Sequence, residues 1–236
     1  MNAAARRIQA NLAAVGERIA AATRASGRKA DSIRLVAVTK YVDAATTRLL
    51  VEAGCHDLGE SRPQDLWRKA PELPDLAVRW HMVGHLQRNK LRRTLPLITL
   101  LHSLDNFELA ADIDAQVRAA GGQAFESLLE VNLSGEATKH GWRPEELDAA
   151  LEKLSPLENL RITGLMGMSG LDAVSDEVAR QFATLRALAD RLRPNAPANA
   201  PLGELSMGMS GDFEIAIREG ATIVRIGSAL VEGLDG

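Results

Sequence analysis

Two short glycine-bearing turns near the end of the chain have the composition of an anion-binding site. The first covers residues 206–211 (SMGMSG), and the second, Gly227-Ser228, follows the apolar run 222–226. Small residues let backbone N–H groups approach phosphate oxygens, and a following helix N-terminus adds partial positive charge. Either turn alone is more typical of an ordinary glycine turn than of an anion site. As a pair about one βα unit apart, they favour phosphate binding.

Lys40 ends the apolar run of residues 35–39 (LVAVT) and is a candidate nucleophile. The C-terminal end of a barrel strand is where catalytic residues lie. A lysine held there, partly desolvated and near other cations, can form a Schiff base with an aldehyde. The alternative is a solvated lysine that leads into a helix. Tyr41, the only tyrosine, either lines the same pocket or covers the edge of the barrel.

Arg225 lies inside a short apolar run, residues 223–226 (IVRI). With the period-two alternation of a strand, it shares a face with Ile223, whereas its two neighbours face the other way. A permanently charged guanidinium on a core face is costly unless it has a partner. The partner is either an inward carboxylate, such as Glu130 or Glu204, or an acceptor atom of a bound ring.

The histidines and the single cysteine do not form a recognisable metal motif. His81 and His85 lack the intervening glutamate and the helix of a zinc-protease site. Cys55 and His56 are adjacent, so on a strand they point to opposite faces. We therefore expect no metal site.

Three further polar features follow predicted strands. They are residues 59–62 (GESR), which include Ser61, then His85, and residues 130–141 (EVNLSGEATKHG). Each could line or cover a pocket at the barrel mouth, and a solvated surface turn explains the first and last equally well.

The elements that must position these residues alternate between strands and helices after an amphipathic N-terminal helix. Short apolar runs predict strands over residues 33–39, 56–59, 78–83, 98–103, 127–133, 162–166, 204–207 and 222–226. Helical spacing predicts helices over about 43–53, 62–70, 86–94, 106–120, 144–154, 175–193 and 211–219. This alternation predicts an α/β fold with a parallel sheet closed into a (β/α)₈ TIM barrel. In such barrels phosphate binds in the loops after strands 7 and 8, where the two glycine turns fall.

Length and composition agree with one large barrel domain over residues 1–236. The chain is 46% hydrophobic and 3% aromatic, with a net charge of −3, and so has no electrostatic footprint for nucleic acid or an anionic membrane. A single cysteine, Cys55, excludes an intramolecular disulfide and favours a reducing compartment. No run approaches the roughly 20 apolar residues of a membrane span. We expect a cytoplasmic protein.

Eight motifs, in order along nearly the whole chain, resemble those of the pyridoxal phosphate homeostasis proteins, small one-domain relatives of the alanine racemase barrel. The motifs are LVAVTK (35–40), DLGESR (57–62), WHMVGHLQRNK (80–90), HSLDN (102–106), EVNLSGEATKHG (130–141), GLMGM (164–168), SMGMSGDFEIAI (206–217) and TIVRIGSALVEG (222–233). So many ordered matches are far more specific than any single motif.

The resemblance implies pyridoxal 5'-phosphate (PLP) as the cofactor. Lys40 would hold it as a Schiff base, Ser210 and the two turns would bind its phosphate, and Arg225 would face its pyridine nitrogen. Ser61 stands where the family commonly has asparagine. The cofactor-binding residues expected in this way are Lys40, Ser61, His85, Met209, Ser210, Arg225, Gly227 and Ser228.

The same resemblance argues against an efficient enzyme. An arginine opposite the pyridine nitrogen leaves the ring a poor electron sink. Racemases of this barrel type also take a second acid–base residue from a separate β-domain, and we expect no such domain in this protein. We expect a PLP-binding homeostasis protein, monomeric or weakly dimeric, with PLP-dependent apoenzymes as partners. The alternatives are a racemase-like PLP enzyme and a Schiff-base aldolase without a cofactor.

Overall fold

Eight short segments pair in chain order and close on themselves in a computed structural model of the chain. The structure describes residues 2–29, 31–133, 140–170 and 173–234. The strands are β1 (Arg34–Val38), β2 (Asp57–Glu60), β3 (Arg79–Met82), β4 (Leu100–Leu104), β5 (Phe125–Val131), β6 (Leu160–Gly167), β7 (Glu204–Ser206) and β8 (Ile223–Ile226). All pairs are parallel, and β1 pairs with both β2 and β8. The predicted eight-stranded (β/α)₈ barrel is confirmed.

Helices connect the strands and surround the barrel. Those in the described residues are α1 (Ala3–Ala25), α2 (Ala44–Glu52), α3 (Pro63–Lys69), α4 (Arg88–Thr94), α5 (Phe107–Ala120), α6 (Leu147–Leu154), α7 (Ser175–Leu192), α8 (Phe213–Arg218) and α9 (Ser228–Val231). Asp43 and Asn106 cap α2 and α5, because their side chains accept hydrogen bonds from backbone N–H groups of the first turn. None of the helices in the described part of the chain combines the length and the apolar character needed to cross a membrane.

Strands β5 and β6 both begin two residues earlier than predicted. Near the start of these two strands, Glu126 of β5 pairs with Arg161 of β6. The side chains of both residues are 51% exposed. Each missed segment is one apolar residue followed by an exposed charged one, Phe125-Glu126 in β5 and Leu160-Arg161 in β6. A single apolar residue before a charged one gives too short a pattern to predict a strand.

Alternate strand residues fill two separate cores. Those that face outward pack with the helices in one large apolar cluster, which includes Val224 and Ile226. A small apolar group fills the inside of the barrel, and its members are Val36, Leu100, Leu128, Met166 and Ile223. Because Ile223 lies inside, alternation directs Arg225 inward as well. The barrel interior thus contains both an apolar layer and a buried guanidinium.

The N-terminal helix α1 packs against α2, α8 and α9. Ile8 and Val15 are buried beneath it. On the same side of the helix, the side-chain amide of Asn11 donates to the backbone carbonyls of Leu230 and Glu232, at 3.2 and 2.9 Å. These bonds fix the short helix α9, which begins at Ser228 of the second glycine turn.

Candidate functional site

A cavity of about 590 Å³ opens at the carboxyl ends of the strands. This volume lies in the roughly 300–1,000 Å³ range of small-molecule and cofactor sites. All of the residues that the sequence singled out for the cofactor line it, namely Lys40, Ser61, His85, Met209, Ser210, Arg225, Gly227 and Ser228. The structure therefore brings together residues from the ends of β1, β2, β3, β7 and β8.

Lys40 follows β1 at the mouth of the barrel. Val36 of the same strand faces the barrel interior, and alternation directs Val38 and Lys40 to the same side. The Lys40 side chain is exposed, and its Nζ lies 4.7 Å from the centroid of the Tyr41 ring. Tyr41 is 86% exposed and also lines the cavity. A small molecule that enters the cavity can therefore reach the Lys40 amine.

The two glycine turns meet at the Ser210 hydroxyl. Its Oγ accepts hydrogen bonds from the backbone N–H groups of Gly227 and Ala229, at 3.3 and 3.4 Å. The two donors therefore point at nearly the same place in the cavity wall. Converging backbone N–H groups of this kind suit an anionic oxygen.

Gly208 allows the first turn to fold back on α8. Its φ of 93° lies in the left-handed region, and an added Cβ would stand 2.6 Å from Ala216 Cβ and 2.9 Å from Phe213 Cα. The Asp212 carboxylate accepts a hydrogen bond from the backbone N–H of Met209 at 2.6 Å, which closes the same turn. The position of Ser210 is thus fixed by backbone sterics as well as by hydrogen bonds.

Arg225 is buried and donates to two oxygens inside the barrel. Its Nη1 lies 2.7 Å from Ser206 Oγ, and its Nη2 lies 3.1 Å from the carbonyl oxygen of Gly167. Burial lowers the pKa of Arg225 to about 10. The guanidinium therefore remains protonated at neutral pH and can act only as a hydrogen-bond donor.

The ion-pair alternatives for Arg225 are not formed. Within the described residues, no carboxylate oxygen lies within 4 Å of its guanidinium, and Glu204 instead lies 3.6 Å from Arg34. Glu130 lines the cavity, where burial, followed by the charge of Asp105, raises its pKa to about 7. The sequence predicts Glu130 either as a salt-bridge partner of Arg225 or as part of the polar stretch 130–141 at the mouth. The structure places it in the cavity wall, as a carboxyl group with a pKa raised to about 7.

His85, Asp105 and His140 form a cluster on the cavity wall. Asp105 Oδ2 lies 2.9 Å from His85 Nδ1 and 3.5 Å from His140 Nδ1. The two imidazole rings stack, with centroids 4.0 Å apart and planes inclined by 12°. Because an imidazole lone pair lies in the plane of its ring, nearly parallel stacked rings do not aim both Nδ1 atoms at one ion. The cluster acts as a hydrogen-bonded wall of the cavity.

Of the other polar features predicted at the mouth, some line the cavity and one lies in residues that the structure does not describe. Ser61 is half-buried and lines the cavity, and its backbone is pressed against Gly84, where an added Cβ would stand 2.3 Å from the Ser61 carbonyl oxygen. From the stretch 130–141, Glu130 and His140 line the cavity. A loop over the ligand at residues 134–139 lies outside the described residues.

A buried ion pair that the sequence did not reveal supports the backbone before Lys40. Lys69 Nζ lies 2.6 Å from Glu60 Oε1 and donates to the carbonyl oxygen of Thr39 at 2.5 Å. The Thr39 hydroxyl donates to the same Glu60 oxygen at 2.5 Å. The side chains of Lys69 and Glu60 are 1% and 0% exposed. These contacts hold the end of β1 in place.

We predict that Lys69→Met lowers the free energy of unfolding by about 3–5 kcal/mol, because it leaves the Glu60 carboxylate buried without its cation. Urea denaturation measures the change. The matched control is Arg191→Met, which removes an exposed pair with Asp148, 2.8 Å apart, and is expected to cost about 0–1 kcal/mol. Equal effects of the two substitutions would show that the buried pair does not stabilise the barrel.

Comparison with known proteins agrees with this fold. The family model described as alanine racemase, N-terminal domain, matches residues 7–234. The pyridoxal phosphate homeostasis protein of Pseudomonas aeruginosa is 41% identical over 228 residues, which cover 97% of this chain and 96% of that protein.

Solved structures give the same result. An unknown protein from Bifidobacterium adolescentis has a TM-score of 0.90 and 34% identity, with 98% of this chain and 96% of that chain covered. PipY of Synechococcus elongatus, with PLP bound, has a TM-score of 0.84 and 36% identity, with 95% and 99% covered. The class that the fold and the site define is the alanine racemase-type barrel. Within that class, the chain belongs to the family of pyridoxal phosphate homeostasis proteins.

Proposed function

We propose that this protein binds PLP in the cavity at the carboxyl ends of its strands and serves PLP homeostasis in the cytoplasm. The observation that carries the proposal is the convergence of a lysine, paired backbone donors and a buried arginine on one cavity. The names of the relatives support it, as does the PLP bound to PipY. A visible spectrum of the purified protein with and without added PLP tests it directly, and no spectral change with PLP would refute it.

The side chains of the cavity fit the three polar parts of this cofactor. The backbone N–H groups that converge on Ser210 would bind the phosphate, and Arg225 would donate to the ring nitrogen. When bound, PLP supplies an aldehyde that forms a Schiff base with an amine and a ring that withdraws electrons from it. Lys40 would provide that amine, its Nζ condensing with the aldehyde carbon as one water molecule leaves.

Arg225 favours storage of the cofactor over catalysis. Because its guanidinium stays protonated at neutral pH, it can donate to the ring nitrogen but cannot accept a proton from it. A ring nitrogen held without a proton stabilises a carbanion poorly. The cavity would therefore hold PLP firmly while supporting little turnover of amino acids.

One observation favours the alternative of a racemase-like enzyme. Glu130 lines the same cavity, and its pKa is raised to about 7, mainly by burial. General acid–base catalysis requires a group of this kind in reach of the reacting atom. The aldolase alternative needs no cofactor, so borohydride-sensitive absorbance of PLP on the protein would exclude it.

We predict that the PLP-loaded protein does not racemise or transaminate common amino acids at rates typical of enzymes. The expected turnover is far below the ordinary median of about 10 s⁻¹. Chiral chromatography and keto-acid assays over a set of amino acids measure it, and Lys40→Ala provides the blank. Turnover near the median that Lys40→Ala abolishes would overturn the homeostasis proposal. The variant Glu130→Gln would then show whether Glu130 is the proton donor.

Transfer of PLP to apoenzymes and a monomeric or weakly dimeric state remain predictions from the sequence. A transfer role would require that the Schiff base with Lys40 be reversible in water. The exposure of Lys40 at the open mouth is consistent with that requirement.

A further inference from the structure

A chain of buried hydrogen bonds crosses the barrel from Arg225 to the opposite end. Ser206 Oγ lies 2.7 Å from Arg225 Nη1 and 2.8 Å from His102 Nδ1. His102 Nε2 lies 2.9 Å from His81 Nδ1. His81 Nε2 in turn lies 3.0 Å from Asp57 Oδ1. Asp57 lines a second cavity, of about 770 Å³, at the amino ends of the strands.

When both imidazoles are neutral, the two ends of this series of hydrogen bonds determine the direction of every bond in it. A guanidinium only donates and a carboxylate only accepts, so His81 carries a proton on Nε2, which faces Asp57. With His81 neutral, its Nδ1 accepts from His102 Nε2. His102 Nδ1 then accepts the hydroxyl proton of Ser206, and the Ser206 oxygen is left to accept from Arg225. With both imidazoles neutral, each proton has a single position.

The surroundings maintain this arrangement. His102 is fully buried, and this burial holds its pKa well below the ordinary value. Burial raises the pKa of Asp57, but hydrogen bonds from His81 and Arg79 outweigh it and leave the pKa below its usual range. At neutral pH the chain therefore runs from a charged guanidinium, through a neutral His102, to an ionised carboxylate.

We propose that His102 and His81, anchored by Asp57, are positioning residues of the cofactor site that hold Arg225 in one orientation through Ser206. The inference rests on the proposed function, in which Arg225 donates to the ring nitrogen of PLP. Asp57 is thereby coupled to the cofactor from the far end of the barrel. If these residues served only stability, their substitution would weaken binding equally for ligands with and without the ring nitrogen.

The test compares the affinity of the full chain for PLP with its affinity for a deaza analogue, in which a CH group replaces the ring nitrogen. His102→Leu removes the acceptor for the Ser206 hydroxyl, and we expect it to weaken PLP binding about tenfold while leaving binding of the analogue unchanged. His102→Asn keeps an acceptor near the position of Nδ1, so we expect it to retain most of the affinity.

Two further variants probe the far end. Asp57→Ala removes the acceptor that keeps the proton of His81 on Nε2. We expect its affinity for PLP to fall a fewfold and its affinity for the analogue to stay unchanged. Glu126→Ala is the matched control. Glu126 lines the same distal cavity as Asp57, but its carboxylate pairs with Arg161 at 4.0 Å and takes no part in the hydrogen bonds that lead to Arg225. The Glu126→Ala variant should bind both ligands like the unaltered protein.

The proton positions are measured separately, without any cofactor. Nitrogen-15 NMR of the side chains in the unaltered protein should show both His102 and His81 protonated on Nε2. A His102 protonated on Nδ1 would overturn the proposal, because Ser206 would then accept from the histidine as well. This readout does not depend on whether His102→Leu folds.

The binding results distinguish a failure of the positioning role from a failure of the proposed function. Equal losses for PLP and the deaza analogue, with normal binding by the unaltered protein, would overturn the positioning role and leave the proposed function intact. Failure of the unaltered protein to bind PLP would overturn the proposed function, and the positioning role with it, whatever the tautomers.

Discussion

Replacement of Lys40 by alanine is expected to abolish covalent capture of PLP while the barrel stays folded. Lys40 is exposed at the mouth, so its truncation opens no cavity in the core. The free energy of unfolding should change by no more than about 0.5 kcal/mol, as for an ordinary surface substitution. Borohydride reduction followed by peptide mass spectrometry should find the adduct on Lys40 in the unaltered protein and no adduct in the variant.

The matched control for this experiment is Lys90→Ala, which removes a partly exposed lysine from α4. It should retain the full adduct on Lys40. An adduct on Lys90 or Lys139 of the unaltered protein would contradict the assignment of Lys40. Loss of the folded state in Lys40→Ala would instead show that Lys40 stabilises the end of β1.

Pyridoxal, which lacks the phosphate, is expected to bind at least about a hundredfold more weakly than PLP. Two backbone N–H groups converge at Ser210, and charge-assisted hydrogen bonds contribute about 1.5–3 kcal/mol each. Two such bonds correspond to at least that ratio of dissociation constants. Titration of the unaltered protein with each ligand, followed by absorbance, measures it.

Substitution at the turns should locate this effect. We expect Ser210→Ala to reduce the ratio between the two affinities, because Ser210 holds the two turns together at the point where the donors meet. The control is Ser155→Ala, an exposed serine that bonds only its own helix end, through the carbonyl of Glu152 at 2.8 Å. Equal affinities for PLP and pyridoxal in the unaltered protein would show that the turns do not bind phosphate.

Local sequence pattern predicted the barrel and several residues at its mouth, and the family resemblance supplied the rest of the cofactor-binding set. Lys40, Ser61 and His85 each follow a predicted strand, so they could be placed at the mouth before their neighbours were known. Alternation alone directed Arg225 inward with Ile223. These inferences succeeded because they depend on one strand at a time.

The interactions between strands could not be predicted in the same way. Ser206 and His102 are 104 positions apart and meet only through the register and curvature of the closed barrel. Lys69, at the end of α3, has the composition of a solvated helix terminus, and only packing against β2 shows that its charge is buried. Glu130 has its raised pKa because of the depth of the cavity. No local signal encodes that depth.

The bonds from Asn11 to the carbonyls of Leu230 and Glu232 join residues 219 and 221 positions apart. Contacts of such long range form late in folding, because the loop-closure entropy of the intervening chain must be overcome first. The second glycine turn is bounded by this contact and by the pairing of β8 with β1. A nascent chain that still lacks β8 therefore cannot assemble the anion site. On the proposed function, loading of the cofactor would therefore follow the pairing of β8 with β1.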